Sequence, residues 1–293
     1  MRQSAGDKAF EIINVTLLML VLLAVLYPLV FVVSASFSNP ERVVSGEVWL
    51  LPKELSFEGY KRVFQNQDIL TGYTNTILYT LAGTAVNLIM TIAAAYPMSR
   101  KDFKGRNVIM LIMVFTMFFN GGLIPTYLLI KNLHMLNTFW VMIIPGAVAV
   151  WNIIIMRTFF QQSIPGEIQE AAFIDGCSNT QILLRIVLPL SVPILAVMLL
   201  FYGVAHWNSF FGALIYLTDR SKYPLQLILR EILIQNQMND MTNLTDESYI
   251  RQVLNAESIK YAVIIIANLP MLLLYPMLQR YFVKGMLVGA IKG

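Results

Sequence analysis

This sequence predicts an all-α membrane protein with six transmembrane helices, on three observations. Only 13% of the 293 residues are charged and 57% are hydrophobic, whereas a soluble domain averages about 25% charge. Six stretches free of Asp, Glu, Lys and Arg cover residues 12–40, 69–99, 107–130, 132–156, 186–218 and 261–279. Each is long enough, or nearly so, to cross roughly 30 Å of hydrocarbon as a helix. Prolines lie inside or at the ends of most of them: Pro28, Pro97, Pro125, Pro145, Pro189, Pro193, Pro270 and Pro276. Each removes a backbone donor and kinks its helix, which suits a pathway better than a simple anchor.

The first window, Ile12–Pro40, follows Arg2 and Lys8 and ends near Ser34-Ala35-Ser36, a passable signal-peptide cleavage site. Its apolar run far exceeds the roughly 7–15 residues of a signal core, so a retained first helix is expected. Between the second and third windows the short loop Ser99–Arg106 holds Arg100, Lys101, Lys104 and Arg106. The comparably short loop KNLHMLN on the other face holds only Lys131. Short basic loops stay in the cytoplasm. This places both termini, Ser99–Arg106 and residues 157–185 in the cytosol, and residues 209–260 outside. The polar stretch Asn236–Gln252 reads as a flexible finger or a solvated connector.

Residues 157–185 hold a short polar element inside a greasy chain. Ser163-Ile164-Pro165 reads as a helix start, with Glu167 and Glu170 in the early turns where the dipole favours negative charge. Gly176 ends that helix, because glycine adopts the left-handed conformation without steric cost. Ser178-Asn179-Thr180-Gln181 has the capping-box pattern and starts a second helix, which enters the membrane near Leu188-Pro189. Ala171 and Ala172 offer a small-residue surface that another protein could approach, and Glu170 an acceptor for a basic side chain. An interfacial helix without a partner is the other reading of the same residues.

Glu170-Ala171-Ala172, Asp175-Gly176, and Ile186, Leu188 and Pro189 stand at the spacing of a cytoplasmic-loop signature, EAA, three residues, Gly, nine residues, I-x-L-P. On these residues the chain resembles the membrane subunits of bacterial ABC importers. Cys177 stands where that family usually has alanine, and Leu183 where phenylalanine is common. Phe119–Pro165 and the ending Gln279–Gly293 are similar to the carbohydrate branch, the smaller permease of the maltose type. Within it the likeness is to the subgroup importing oligosaccharides of acidic polysaccharides such as alginate or pectin.

The resemblance implies the maltose-type permease fold in a single domain, residues 1–293. It also implies a coupling helix at Glu170, Ala171, Ala172, Asp175 and Gly176 that docks into a groove of an ATPase subunit. The implied partners are a second, homologous and different permease, two ATPase subunits, an extracytoplasmic solute-binding protein, the oligosaccharide and the lipid bilayer of the bacterial inner membrane. It further implies contact between the outer loop (Gln237, Asn239, Asp240, Asn243 and Thr245) and the binding protein, and between the tail (Ala290, Ile291 and Lys292) and the ATPase.

The remaining residues bound the chemistry. No GxxxxGK[ST] occurs, so this chain has no Walker A phosphate loop; the resemblance then implies that ATP and Mg belong to the partner ATPase and that this chain is a non-catalytic subunit with no cofactor of its own. Two histidines and one cysteine make a zinc site improbable. The net charge of +4 suits basic residues beside anionic lipid and gives no reason to invoke nucleic acid. An ion-coupled secondary transporter is the alternative, but such carriers keep an intramembrane carboxylate or histidine, and here only His206 could serve. Sugars favour aromatic faces and amides, so Asn120 with Tyr127, Trp151 with Asn152, and His206-Trp207-Asn208 are the candidate pathway residues. Each could equally be helix-linking or interfacial.

Overall fold

The computed structural model describes residues 5–240, 254, 256–257 and 259–276, and among these every regular element is helical. The chain divides into two compact units, Met1–Leu70 with Ile228–Leu269, and Thr71–Leu227 with Pro270–Gly293.

In the first unit α1 (Ala5–Ser36) is apolar along nearly its whole length, and its most apolar window is unburied. Such a helix is built for lipid or for another subunit rather than for water. Its end is anchored by small hydroxyls. Ser34, Ala35 and Ser36 are buried; Ser34 Oγ donates to the Leu50 carbonyl at 2.6 Å, and Ser36 Oγ lies 2.9 Å from Tyr60 Oη. The segment that could pass for a cleavage site is therefore a packed joint. Beyond it α2 (Pro40–Val44), with Asn39 as N-cap, and α3 (Glu58–Gln65) form a small polar cap, where Arg42 pairs with both Glu47 and Glu54. In the same unit Phe31 meets Tyr261 edge to face at 5.8 Å.

The second unit is built on α4 (Gln67–Ser99). Three later windows fold as bent pairs. α5 (Arg106–Phe118) and α6 (Leu123–Asn132) meet at 110°, and the two 3₁₀ turns at 139–146 meet α7 (Val150–Ser163) at 54°. The segment 179–190 meets α11 (Val192–Trp207) at 83°. With each bent pair counted as one span, the described residues hold six helical segments long and apolar enough to cross a membrane; the straight ones are Gly6–Ser36, Gln67–Ser99 and α14 (Ile259–Pro276).

The bends have local causes. At the first, Gly122 has φ +79° and Asn120 Oδ1 accepts its N–H at 3.0 Å. At the third, the break falls at Ser191, just before Pro193, which has no N–H to offer the Pro189 carbonyl. Ahead of it α9 (Asn179–Ile182) passes through a π-turn, Leu183–Val187, into α10 (Leu188–Leu190). Pro189 has no N–H to offer the Arg185 carbonyl, and the ladder shifts register so that the Leu188 N–H reaches Leu183.

Residues 209–227 do not form an open loop. α12 (Phe211–Tyr216) leads into a turn held by Asn137, whose Oδ1 accepts from the N–H groups of Thr218 and Asp219 at 3.2 and 3.0 Å. Asn75 Nδ2 donates to the Ser221 carbonyl at 2.7 Å, and the Leu225 N–H donates to Thr76 Oγ1 at 2.8 Å. α13 (Leu225–Asp240) follows. Sequence reading missed this order because the holding side chains, Asn75, Thr76 and Asn137, lie far away along the chain.

α4 and α11 are joined by buried polar contacts. The Asn87 amide donates to the Gly146 carbonyl at 2.6 Å, leaving its oxygen to accept from His206 Nε2 at 2.6 Å. Thr91 Oγ1 lies 2.7 Å from Tyr202 Oη. In hydrocarbon such bonds contribute about 0.6 kcal/mol each, up to about 1.7. Gly83 lies under the His206 ring: a Cβ there would fall 2.4 Å from the imidazole, which cannot swing aside without losing Asn87. Gly83→Ala is expected to cost about 1–3 kcal/mol, read as a lower melting temperature in detergent. In the double variant with His206→Ala part of that loss should return; strictly additive losses would show that the two residues do not touch.

Candidate coupling site

α7 runs past its charge-free window and ends at Ser163, so Ser163 closes one helix instead of opening the next. The helix start read at Ser163-Ile164-Pro165 therefore falls at Gly166, directly after that triplet. Ile164 and Pro165 are extended, Pro165 occupies the N-cap position, and α8 (Gly166–Ile174) begins without a side-chain cap. Its other end is closed by backbone alone. The Gly176 N–H donates to the Phe173 carbonyl at 3.0 Å and the Cys177 N–H to that of Ala172 at 2.9 Å, with Gly176 at φ +80°. This is the Schellman pattern, in which the left-handed residue is usually glycine. The capping box forms next: Gln181 N–H donates to Ser178 Oγ at 3.3 Å, and Ser178 N–H to Gln181 Oε1 at 2.8 Å.

The turn of about 100° per residue divides the alanine pair. Ala172 is 6% exposed and packs into the core with Phe160, Ile164 and Ile182. The expectation that both alanines face a partner is corrected: Ala171 is exposed with Glu170, Asp175 and Gly176, while Ala172 is the anchor beneath them. Ile174, 87% exposed, stands four residues after Glu170 on the same helix face. It was not singled out from sequence, although an apolar residue one turn from an exposed glutamate was a readable signal.

α8 is fastened from below by Arg100, just past the end of α4. Its Nη1 donates to Gln169 Oε1 at 3.1 Å and to Tyr96 Oη at 3.2 Å, while Nε and Nη2 reach the two Asp102 carboxylate oxygens at 2.9 Å each. The guanidinium also lies 4.8 Å from the centre of the Phe173 ring. Hydrogen bonds from Arg100 hold the Asp102 carboxyl below its ordinary range, so the pair is ionised at neutral pH. Arg157 Nε donates to the Met98 carbonyl at 3.0 Å, tying α7 to the same helix end. A cleft of about 610 Å³ runs between the basic loop and α8, with Lys101, Arg106, Glu167 and Glu170 among its lining.

The candidate pathway residues each have separate local partners or surroundings. Asn120 forms the α5–α6 bend, and Tyr127 stacks on Tyr216 with ring centres 6.2 Å apart. Trp151 is 61% exposed and its neighbour Asn152 is buried, because adjacent helical residues point apart. His206 is bonded to Asn87, and Trp207 is buried against Tyr73. Asn208 Nδ2 donates to the Val204 carbonyl at 2.9 Å. Gln237, Asn239 and Asp240 fall on the last turns of α13 rather than in an irregular loop. Asn243, Thr245, Ala290, Ile291 and Lys292 lie outside the described residues.

A short surface helix closed by a glycine turn, joined to bent spans, is the architecture to compare with known proteins. Residues 69–288 match the family described as binding-protein-dependent transport system inner membrane component. The chain belongs to that family. It is 40% identical over 293 residues to the protein LplC of Bacillus subtilis, covering 100% of this chain and 98% of that one. It is 41% identical over 279 residues to the B. subtilis polygalacturonan/rhamnogalacturonan transport system permease protein YtcP, covering 94% and 96%. A crystal structure of a bacterial ABC transporter involved in the import of the acidic polysaccharide alginate contains a chain that is 34% identical. The two superpose with a TM-score of 0.87 over 96% of this chain and 99% of that one. This chain is thus a permease subunit of an ABC importer, and an ion-coupled secondary carrier is not favoured.

Gly176 isolates the cost of the turn. A Cβ there meets nothing within 4 Å, so only the backbone angle opposes a side chain. Gly176→Val is expected to lower stability by about 1–2 kcal/mol, and Gly176→Asn by less, because asparagine visits the left-handed region. Thermal unfolding of the purified protein checks both; equal melting temperatures for the Val, Asn and parent proteins would show that the turn tolerates any residue.

Proposed function

We propose that this permease imports oligosaccharides of acidic polysaccharides and takes its energy from a separate ATPase that docks on α8. The observation that carries the docking reading is the exposed strip of Glu170, Ala171 and Ile174 on a helix closed by a glycine turn and anchored beneath by Ala172 and Arg100. Glu170 offers a carboxylate to a basic groove, Ala171 allows close approach, and Ile174 offers apolar area. Moving a two-state transporter from 1:99 to 99:1 takes about 5.5 kcal/mol of differential binding. A helix this short does not supply that, but it can pass on the rigid movement of a larger partner.

The substrate class rests on the two relatives whose names give acidic polysaccharides, polygalacturonan/rhamnogalacturonan and alginate. The charge-free windows agree with it: a polyanionic sugar would meet no carboxylate within them. Asn120, Tyr127, Trp151 and Asn208 remain the proposed lining, whereas Asn152 and Trp207 are buried and His206 is bonded to Asn87, which gives these three packing roles. Orientation follows the basic loop, with Ser99–Arg106, α8 and both termini in the cytosol of a bacterial inner membrane. A second, different permease, two ATPase subunits and a solute-binding protein complete the importer. The stretch from Gln237 to Thr245 is proposed to touch the binding protein, and Ala290–Lys292 the ATPase.

The test uses the transporter purified with its co-purifying subunits and reconstituted in vesicles. Glu170→Lys is expected to reduce uptake at least tenfold and to abolish stimulation of ATP hydrolysis by substrate-loaded binding protein. Parent-level uptake in this variant would overturn the docking reading. Oligogalacturonate and oligoalginate should compete for uptake where a neutral maltooligosaccharide does not; competition by the neutral sugar alone would overturn the substrate class. Deletion of Gln237–Thr245 should leave the melting temperature unchanged while weakening stimulation by the binding protein. Unchanged stimulation across binding-protein concentrations would make that stretch a connector.

A further inference from the structure

Arg100 spends one side chain on three parts of the molecule. It follows the last residue of α4, grips Asp102 in its own loop with two parallel bonds, and reaches Gln169 and the Phe173 face on α8. The Arg106 Nη1 donates to the Arg100 carbonyl at 2.7 Å, which closes the loop around it. Its side chain is 9% exposed, unusual for an arginine in a surface loop. The planar fork fixes direction as well as distance, which a flexible ammonium would not.

We propose that Arg100 is a positioning residue for energy coupling: it latches α8 to the end of α4, so that displacement of α8 is delivered to the membrane-spanning part. This rests on the reading that α8 docks on an ATPase. From α4 the movement has a physical route, because Asn87 and Thr91 of the same helix are bonded to His206 and Tyr202 of α11 and to the Gly146 carbonyl. Ala172 alone gives α8 an apolar seat, and a methyl group on an apolar surface slides. The guanidinium removes that freedom, since shifting α8 by a few ångströms breaks its bond to Gln169 and its stacking on Phe173. Removing Arg100 should not unfold the site. Asp102 is solvent-exposed, Tyr96 keeps an approach to the Asn179 carbonyl at 3.4 Å, and Arg157 still ties α7 to Met98.

The experiment measures substrate molecules imported per ATP hydrolysed in the reconstituted transporter. A cysteine at Ile174, crosslinked to the ATPase subunit, serves as the docking control. Arg100→Gln is expected to assemble, to give the parent crosslink and to hydrolyse ATP, while transport per ATP falls about tenfold. Arg100→Lys, which keeps the charge but loses the fork, should recover only part of it. If the crosslink is absent in the parent, the docking reading fails and the latch with it. If the crosslink is present and Arg100→Gln keeps the parent ratio, or if uptake and hydrolysis fall together with the ratio unchanged, the latch alone is overturned. Should Arg100→Gln fail to assemble, the double variant Gln169→Met with Phe173→Leu decides: it removes both contacts to α8 and leaves the guanidinium on Asp102. A fallen ratio in that variant supports the latch, and a parent ratio overturns it.

Discussion

α4 is where the demands of the two solvents meet. In hydrocarbon a polar side chain is tolerated when another group satisfies it, and Asn87 and Thr91 are so satisfied by Gly146, His206 and Tyr202. At its end, outside the apolar layer, the same helix offers the Met98 carbonyl to Arg157 and Tyr96 to Arg100. One helix thus holds α7, α8 and α11 through directional bonds, and apolar packing around Ile153, Met156 and Met198 fills the space those bonds define. Hydrocarbon contact would permit many registers between smooth helices. The hydrogen bonds select one.

The bends follow from the same accounting of backbone donors. Where Pro189 removes an N–H the chain answers with a π-turn, and where Pro193 removes the next one it changes direction sharply at Ser191. Where glycine allows φ +79° at Gly122, Asn120 fills in for the missing helical partner. These breaks give a permease segments that can turn against each other while each stays internally bonded. The surface helix α8 differs: its closure by Gly176 and the adjoining capping box resist fraying at its C-terminal end. Under the docking proposal, stiffness there and bends within the spans suit a joint between a moving partner and a gated path.

Much of this was legible in the sequence. The six charge-free windows, the glycine that ends α8 and the Ser178–Gln181 capping box depend on neighbours a few residues away, and local chemistry decides them. What was not legible depends on residues far apart along the chain. Arg100 was counted as one of four basic residues in a loop, because nothing local reveals Gln169 and Phe173 beside it. His206, Trp207 and Asn208 looked like a sugar-binding trio, but the helix turns them apart, and Asn87 and Tyr73 claim two of them. Residues 209–227 gave no local sign of their ordered turn, because Asn137, Asn75 and Thr76 supply its bonds from other windows. Ala171 and Ala172 read as one surface until the helical twist assigned one to the core.

The central claim is that α8 is the surface on which an energy-supplying subunit bears. Hydrogen–deuterium exchange of the permease, free in detergent and bound to its ATPase subunits, tests it most directly. Docking on this helix predicts that slowed exchange centres on residues 166–177, with little change in the Ser178–Gln181 turn that follows. Unchanged exchange across 166–177, with protection elsewhere in the chain, would contradict it.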